Sequence, residues 1–155
     1  MQIHLIAAGT RMPEWVTAGY EEYAKRLPRE CELVLREIVP AQRGKSGHEA
    51  RWIEEEGERI LASLARDDFV VALEVGGKPW STPQLAGQLA GWMQAGRRVA
   101  LLVGGPDGLA EACRKRADQL WSLSPLTLPH PLVRIVVAEQ IYRAWSILRN
   151  HPYHR

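Results

Sequence analysis

Apolar residues along this chain alternate between two patterns. Short apolar or β-branched runs from Gln2 to Ala8, Leu33 to Val39, Phe69 to Val75, Val99 to Val103 and Leu120 to Leu123 read as strands. Between them, apolar residues return at helical spacing. Val16, Tyr20, Tyr23 and Leu27 form such a face between Pro13 and Pro28, and Ile53, Gly57, Ile60, Leu61 and Leu64 form a second. Ser46 and Glu49 have the spacing of a capping box ahead of that second helix. Thr82 before Pro83 predicts the start of a third, carrying Leu85, Leu89, Trp92 and Met93, with Gly96 as its stop. Gly76, Gly77 and Pro79 predict a turn behind the third strand, and Leu109 to Ala117 a short basic helix.

Strand and helix alternate throughout, which predicts one α/β domain over residues 1–155 with a mostly parallel sheet. Val99 to Val103 is apolar without alternation, as expected of a strand buried on both faces. Ligands of such sheets sit beyond the carboxyl ends of the strands. That rule gathers Leu73, the turn from Gly104 to Gly108 and the loop after Leu123 at one edge.

Residues 104–155 carry the candidate chemistry, with the cofactor site and the dimer helix expected there. The turn holds three glycines and opens a helix, so either it admits a ligand close to the backbone or it is only a tight turn; it matches neither G-x-G-x-x-G nor a P-loop. The segment Leu123-Ser124-Pro125-Leu126-Thr127-Leu128-Pro129-His130-Pro131 alternates leucines with three rigid prolines. It suits a wall for a flat apolar ring, or a packed connector. From Pro131 to Leu148 the apolar residues go round the helix, which predicts burial on nearly all faces and a partner subunit, a homodimer by default. Glu139 and Arg143, at i and i+4, form either an intrahelical ion pair or part of a site. The tail from Asn150 to Arg155 offers groups that donate hydrogen bonds, stack or move protons, unless it is a frayed terminus.

Composition narrows the class. With 46% hydrophobic and 25% charged residues the chain is an ordinary globular protein, and no run reaches the length that spans a bilayer. With no signal-peptide pattern at Met1, the expected location is cytoplasmic. Cys31 and Cys113 read as buried thiols, and no metal-ligand array or G-x-S-x-G is present. A net charge of +2 is too mild to announce nucleic acid, although local clusters such as Arg43 to Lys45 and Arg114 to Arg116 could meet phosphate.

Gly104 to Leu109, LTLPHPLVR at Leu126 to Arg134, AEQIYRAWSI at Ala138 to Ile147 and the terminal HPYHR together resemble the small H-type large-subunit ribosomal RNA methyltransferases of the SPOUT superfamily. The resemblance runs from end to end of the chain and implies an α/β-knot and methylation of N3 of a pseudouridine in 23S rRNA on the assembled ribosome. It implies S-adenosyl-L-methionine as methyl donor, without metal, held by Leu73, Gly104, Leu123, Ser124, Pro125, Leu126, Thr127 and Leu128. Pro125 departs from the family pattern and has no N–H to offer. The catalytic group implied is His130, Glu139, Arg143, Tyr153 and His154, with Arg134 and Arg155 as contacts to RNA phosphate or the cofactor carboxylate. In the family the tail completes the site of the other subunit. The competing expectations are a ribosome-binding assembly factor without turnover and, disfavoured by the missing glycine motif, a Rossmann-type enzyme.

Overall fold

The computed structural model describes residues 1–44 and 47–155. Five strands form one parallel sheet: β1 (Gln2–Ala8), β2 (Glu32–Ile38), β3 (Phe69–Lys78), β4 (Val99–Val103) and β5 (Gln119–Trp121). Their order is β2-β1-β4-β3-β5. Five helices connect and cover them: α1 (Glu14–Ala24), α2 (Glu49–Ala62), α3 (Thr82–Ala95), α4 (Glu111–Arg116) and α5 (His130–Leu148). This is the α/β class that the alternation predicts.

Side chains on successive strand residues point to opposite faces, and the core divides accordingly. Ile3, Leu5, Ala7, Val71, Leu101 and Val103 meet α1, α3 and α5 on one face. Ile6, Ala8, Val70, Ala72, Ala100 and Leu102 meet α2 and α4 on the other. Strand β4 sits between β1 and β3, and all five of its residues are buried, which explains its unbroken apolar run.

Helix α5 lies against both α1 and α3. Gly19 of α1 permits this, because a Cβ there would sit 2.8 Å from Ile135 Cδ1. Thr82 Oγ1 donates to Gln140 Oε1 at 2.8 Å, tying α3 to α5. Val137, Ala138, Ile141 and Ala144 are fully buried within the chain itself. Much of the all-round apolar character of α5 is therefore satisfied by its own domain, while Leu132 and Leu148 remain exposed.

The structure departs from the sequence expectations at several places. Helix α3 is capped by Ser81, not Thr82: Ser81 Oγ accepts from Gln84 N and Gln84 Oε1 accepts from Ser81 N, a reciprocal capping box. Helix α2 starts at Glu49 with His48 at its N-cap, and the Ser46 of the expected capping box lies outside the described residues. Strand β3 runs on through Gly76 and Gly77 to Lys78, with an irregularity between Leu73 and Lys78 where it pairs Trp121. The glycine pair is thus a bulge and not a turn, and a Cβ on Gly77 would stand 2.7 Å from the Leu120 carbonyl carbon.

Arg134 corrects a functional expectation. Only 1% exposed, it donates to Glu37 Oε2 at 2.7 Å and to the Gly9 carbonyl at 2.9 Å. Its guanidinium locks α5 to the carboxyl ends of β1 and β2 instead of meeting RNA or a cofactor. A buried cation is tolerated only with such partners.

Candidate active site

A cavity of about 430 Å³ opens at the carboxyl ends of β3, β4 and β5. Leu73, Gly104, Leu123, Ser124, Leu126, Thr127 and Leu128 all line it, and Pro125 does not. The proline departure therefore falls outside the wall. Leu126 is 72% exposed and forms a loose outer lip. The volume and the mixture of leucines with hydroxyl and backbone groups are those of a small-molecule site, able to take a nucleoside-sized ligand.

Local chemistry fixes the floor of the cavity. The peptide folds so tightly after β4 that a Cβ on Gly104 would lie 2.6 Å from the Gly108 carbonyl, and Gly108 N donates to Gly105 O at 3.0 Å. Only glycine fits at position 104. On the loop, Ser122 Oγ donates to Ser124 O at 3.1 Å and Leu126 N donates to Ser124 Oγ at 2.9 Å. These bonds shape a segment in which prolines rule out regular pairing.

A brace lies behind the glycine turn. Glu56 is buried and accepts from Ala41 N and from Arg43 Nη1, and Arg43 Nη2 also donates to Asp107 at 2.9 Å. Arg43, a phosphate candidate from its basic cluster, is committed to these carboxylates. Asp107 at the tip of the turn is held from outside the cavity.

His130 is the titratable residue of the catalytic set that lines the cavity. Burial, aided by the charge of Arg134, lowers its pKa below the ordinary histidine value. The ring is neutral at pH 7 and can accept a proton. Its Nδ1 is buried without a hydrogen-bond partner among the described residues.

The other four catalytic candidates gather at the far end of α5. Tyr153 Oη donates to Glu139 Oε2 at 2.6 Å, and Arg143 Nε donates to the same oxygen at 2.9 Å. The Arg143 guanidinium also lies 4.9 Å from the centre of the Tyr153 ring, which is 4.5 Å from the Tyr142 ring. Burial opposes ionisation of Glu139, but the bonds from Tyr153 and Arg143 outweigh it and hold its carboxyl below the usual range. Burial, together with the Glu139 bond, pushes the Tyr153 phenol up to about 12, so it remains a donor. His154 Nδ1 lies 3.5 Å from Ser146 Oγ, and Arg155 is exposed. The tail is thus folded back on α5 as a short helical turn, Pro152–His154, and is not frayed.

Along a helix rising about 1.5 Å per residue, Glu139 lies about 14 Å and Arg143 about 20 Å beyond His130. One chain brings the cofactor candidates together with His130, and separately brings Glu139, Arg143 and Tyr153 together. It does not bring the two groups into contact. Sequence reasoning missed Glu74 and Trp121 in the cavity wall. Glu74 follows Leu73 near the end of the run from Phe69 to Val75 that the sequence marks as a strand, and that position was the available signal.

Comparison with known proteins bears on this arrangement. Chains of similar fold include a probable methylase family protein from Haemophilus influenzae, which aligns at TM-score 0.57 with 11% identity over 99% of this chain and 70% of the other. A probable methyltransferase from Bordetella pertussis aligns at TM-score 0.53 with 18% identity over 92% and 95%. At these identities the likeness concerns the fold alone. Two proteins called ribosomal RNA large subunit methyltransferase H are much nearer in sequence. The one from Methylococcus capsulatus is 59% identical over the whole of both chains, and that from Thioalkalivibrio sulfidiphilus is 60% identical over all of this chain and 99% of the other. The family model described as "Predicted SPOUT methyltransferase" matches residues 1–154. A parallel sheet with its cavity at the carboxyl edge, matched by this family over nearly its full length, makes the chain a member of the SPOUT methyltransferases.

Proposed function

We propose that the protein transfers a methyl group from S-adenosyl-L-methionine to N3 of a pseudouridine in 23S rRNA, within the assembled ribosome. The observation that carries this reading is the convergence of Leu73, Gly104 and the Leu123–Leu128 loop on one cavity in a chain about 60% identical to large-subunit rRNA methyltransferases. The knotted passage of the C-terminal segment, a property of the family, belongs to the same reading.

Leucines of the loop would cover the adenine faces, and backbone groups near Gly104 and Thr127 would meet its edge. The bound cofactor supplies an electrophilic methyl group. The uracil-type N3 is protonated at neutral pH and must lose its proton to become a nucleophile. Neutral His130 stands at the cavity wall to receive it. Tyr153, with its phenol kept protonated, serves as a hydrogen-bond donor, and Arg143 as the cation that stabilises the anionic base.

Those tail groups lie too far from His130 in their own chain, so they reach the cavity of a second copy in a homodimer. Exposed apolar side chains at the cavity end support this pairing. Trp15 and Leu132 precede, by about one helical turn, the point where Gly19 and Ile135 bring α1 and α5 together, and both are exposed, as is Leu126 at the cavity. A net charge of +2 gives too little phosphate attraction to choose one nucleotide on naked RNA, which favours recognition of an assembled particle.

Incubation with methyl-labelled cofactor and ribosomes lacking the modification tests the proposal. The expected result is label at a single pseudouridine of 23S rRNA, found by mapping the modified position. Ribosome binding without label would favour the assembly-factor reading, and equal labelling of free rRNA would overturn the requirement for an assembled particle.

A further inference from the structure

The Glu74 carboxylate has no role in the site as described so far, yet it is the one carboxylate in the cavity wall among the described residues. Resting on the reading of this cavity as the S-adenosylmethionine site, we propose that Glu74 is a specificity residue that accepts hydrogen bonds from the cofactor's ribose hydroxyls. Leu73 pairs with Trp121 and packs toward the face of α1, α3 and α5, so the alternation of the strand turns Glu74 toward α4. There Arg114 Nη1 donates to Glu74 Oε1 at 3.0 Å.

Arg114 is itself fixed. Its Nε and Nη2 both donate to Glu111 Oε2, at 3.0 and 2.7 Å, and Nη1 also donates to the Leu109 carbonyl. The carboxylate is therefore oriented before any ligand arrives, through one oxygen. Oε2 carries no hydrogen bond from the described residues and is left for a ligand donor. The remaining wall consists mainly of apolar and backbone surface, suited to a ring but poor in strong acceptors for two adjacent hydroxyls. Glu74 opens the irregular stretch of β3 that follows the Leu73–Trp121 pair, at the carboxyl edge of the sheet, and an acidic side chain at that edge is how dinucleotide-binding α/β folds hold a ribose hydroxyl.

The alternative ligand feature is the sulfonium charge, which the demethylated product S-adenosylhomocysteine lacks while keeping the same ribose. Calorimetric titration of the wild-type, Glu74→Gln and Glu74→Ala proteins with S-adenosylmethionine, S-adenosylhomocysteine and the 2′,3′-dideoxy form of the latter separates the two. Glu74→Ala should weaken both natural ligands in parallel by about tenfold, with Glu74→Gln between it and wild type. Wild type should lose a similar factor on the dideoxy ligand, and Glu74→Ala should bind the dideoxy ligand as well as it binds S-adenosylhomocysteine. Parallel thermal melts confirm that each variant is folded.

Weakening of S-adenosylmethionine alone would assign the carboxylate to the sulfonium and overturn the ribose role. So would unchanged affinities in both variants, or an undiminished penalty for the dideoxy ligand in Glu74→Ala. Failure of the wild-type protein to bind either natural ligand would instead remove the reading of the cavity on which the inference rests.

Discussion

The two ends of α5 are built in opposite ways. At its N-terminal end the chain leaves a hollow: Gly104 and Gly108 fold the backbone under it, leucines and prolines wall it, and the half-buried His130 keeps a buried Nδ1 unpaired among the described residues. At its C-terminal end polar groups are packed and paired, with Glu139 accepting from Tyr153, Arg143 and Gln140. A preformed hollow suits a ligand that arrives whole. A self-satisfied cluster holds its groups in fixed positions. Removing one end should abolish binding and removing the other should abolish only transfer.

Deletion of Tyr153 to Arg155 gives the largest separation. Methyl transfer should fall by about a hundredfold or more, the scale of losing positioned acid–base groups, while calorimetric affinity for S-adenosylmethionine stays within about twofold. Loss of cofactor binding on this deletion would break the division between the ends. Gly104→Val is the counterpart. A Cβ there already meets the Gly108 carbonyl at 2.6 Å, so the turn must open and both binding and transfer should be lost. Mixing the two inactive proteins after subunit exchange then tests whether one site uses both chains. Half of the dimers are mixed and each regains one intact site, so the rate should recover to about a quarter of wild type. No recovery, with exchange verified, would place each site within one chain.

How far the sequence reveals these two ends depends on the range of the interactions involved. The unbroken apolar run of β4 follows from burial on both faces, and it showed the parallel sheet directly. Local signals one residue apart are harder to resolve: Thr82-Pro83 imitates the cap that Ser81 and Gln84 actually make. The glycine pair in β3 reads as a turn because a bulge is defined by its neighbour strand, here Leu120 and Trp121, which are more than forty residues away in sequence. Arg134 is the strongest case. Its partners, Gly9 just past β1 and Glu37 in β2, lie at the other end of the chain, so nothing near it in sequence distinguishes a lock from a phosphate ligand. The cavity loop and the tail were marked by resemblance, but only the folded chain shows them held apart.

A smaller change probes the tail alone. Tyr153→Phe removes the hydroxyl but keeps the ring beside Tyr142 and Arg143, and Glu139 retains its bonds from Arg143 and Gln140. The expected cost to stability is about 1 kcal/mol, measured by urea unfolding. Transfer should fall about tenfold with no change in cofactor affinity, since one hydrogen bond to the reacting base is lost. A drop in cofactor affinity equal to the drop in rate would show that the tail belongs with the cofactor and not with the substrate.

The smallest expected effect decides which end takes the proton. His130 titrates in the folded protein below its ordinary value, chiefly through burial and then through the charge of Arg134. Between that lowered pKa and the ordinary 6.5 the unfolded chain holds a proton that the native chain does not, so stability rises with pH in this window. The contribution is complete above about pH 6.5 and is lost as pH falls through the folded pKa. His4, lowered by burial and by Arg98, adds a slope of the same sign, so His130→Gln should reduce the pH dependence of urea unfolding below pH 6.5 without removing it. The rate provides the sharper comparison. If His130 receives the N3 proton, the acid limb of the transfer rate lies below pH 6.5 and disappears in His130→Gln, leaving a slower, flatter profile. If the variant shows the reduced stability slope but keeps the wild-type acid limb, the histidine is only a wall residue, and the proton passes to a group delivered by the tail.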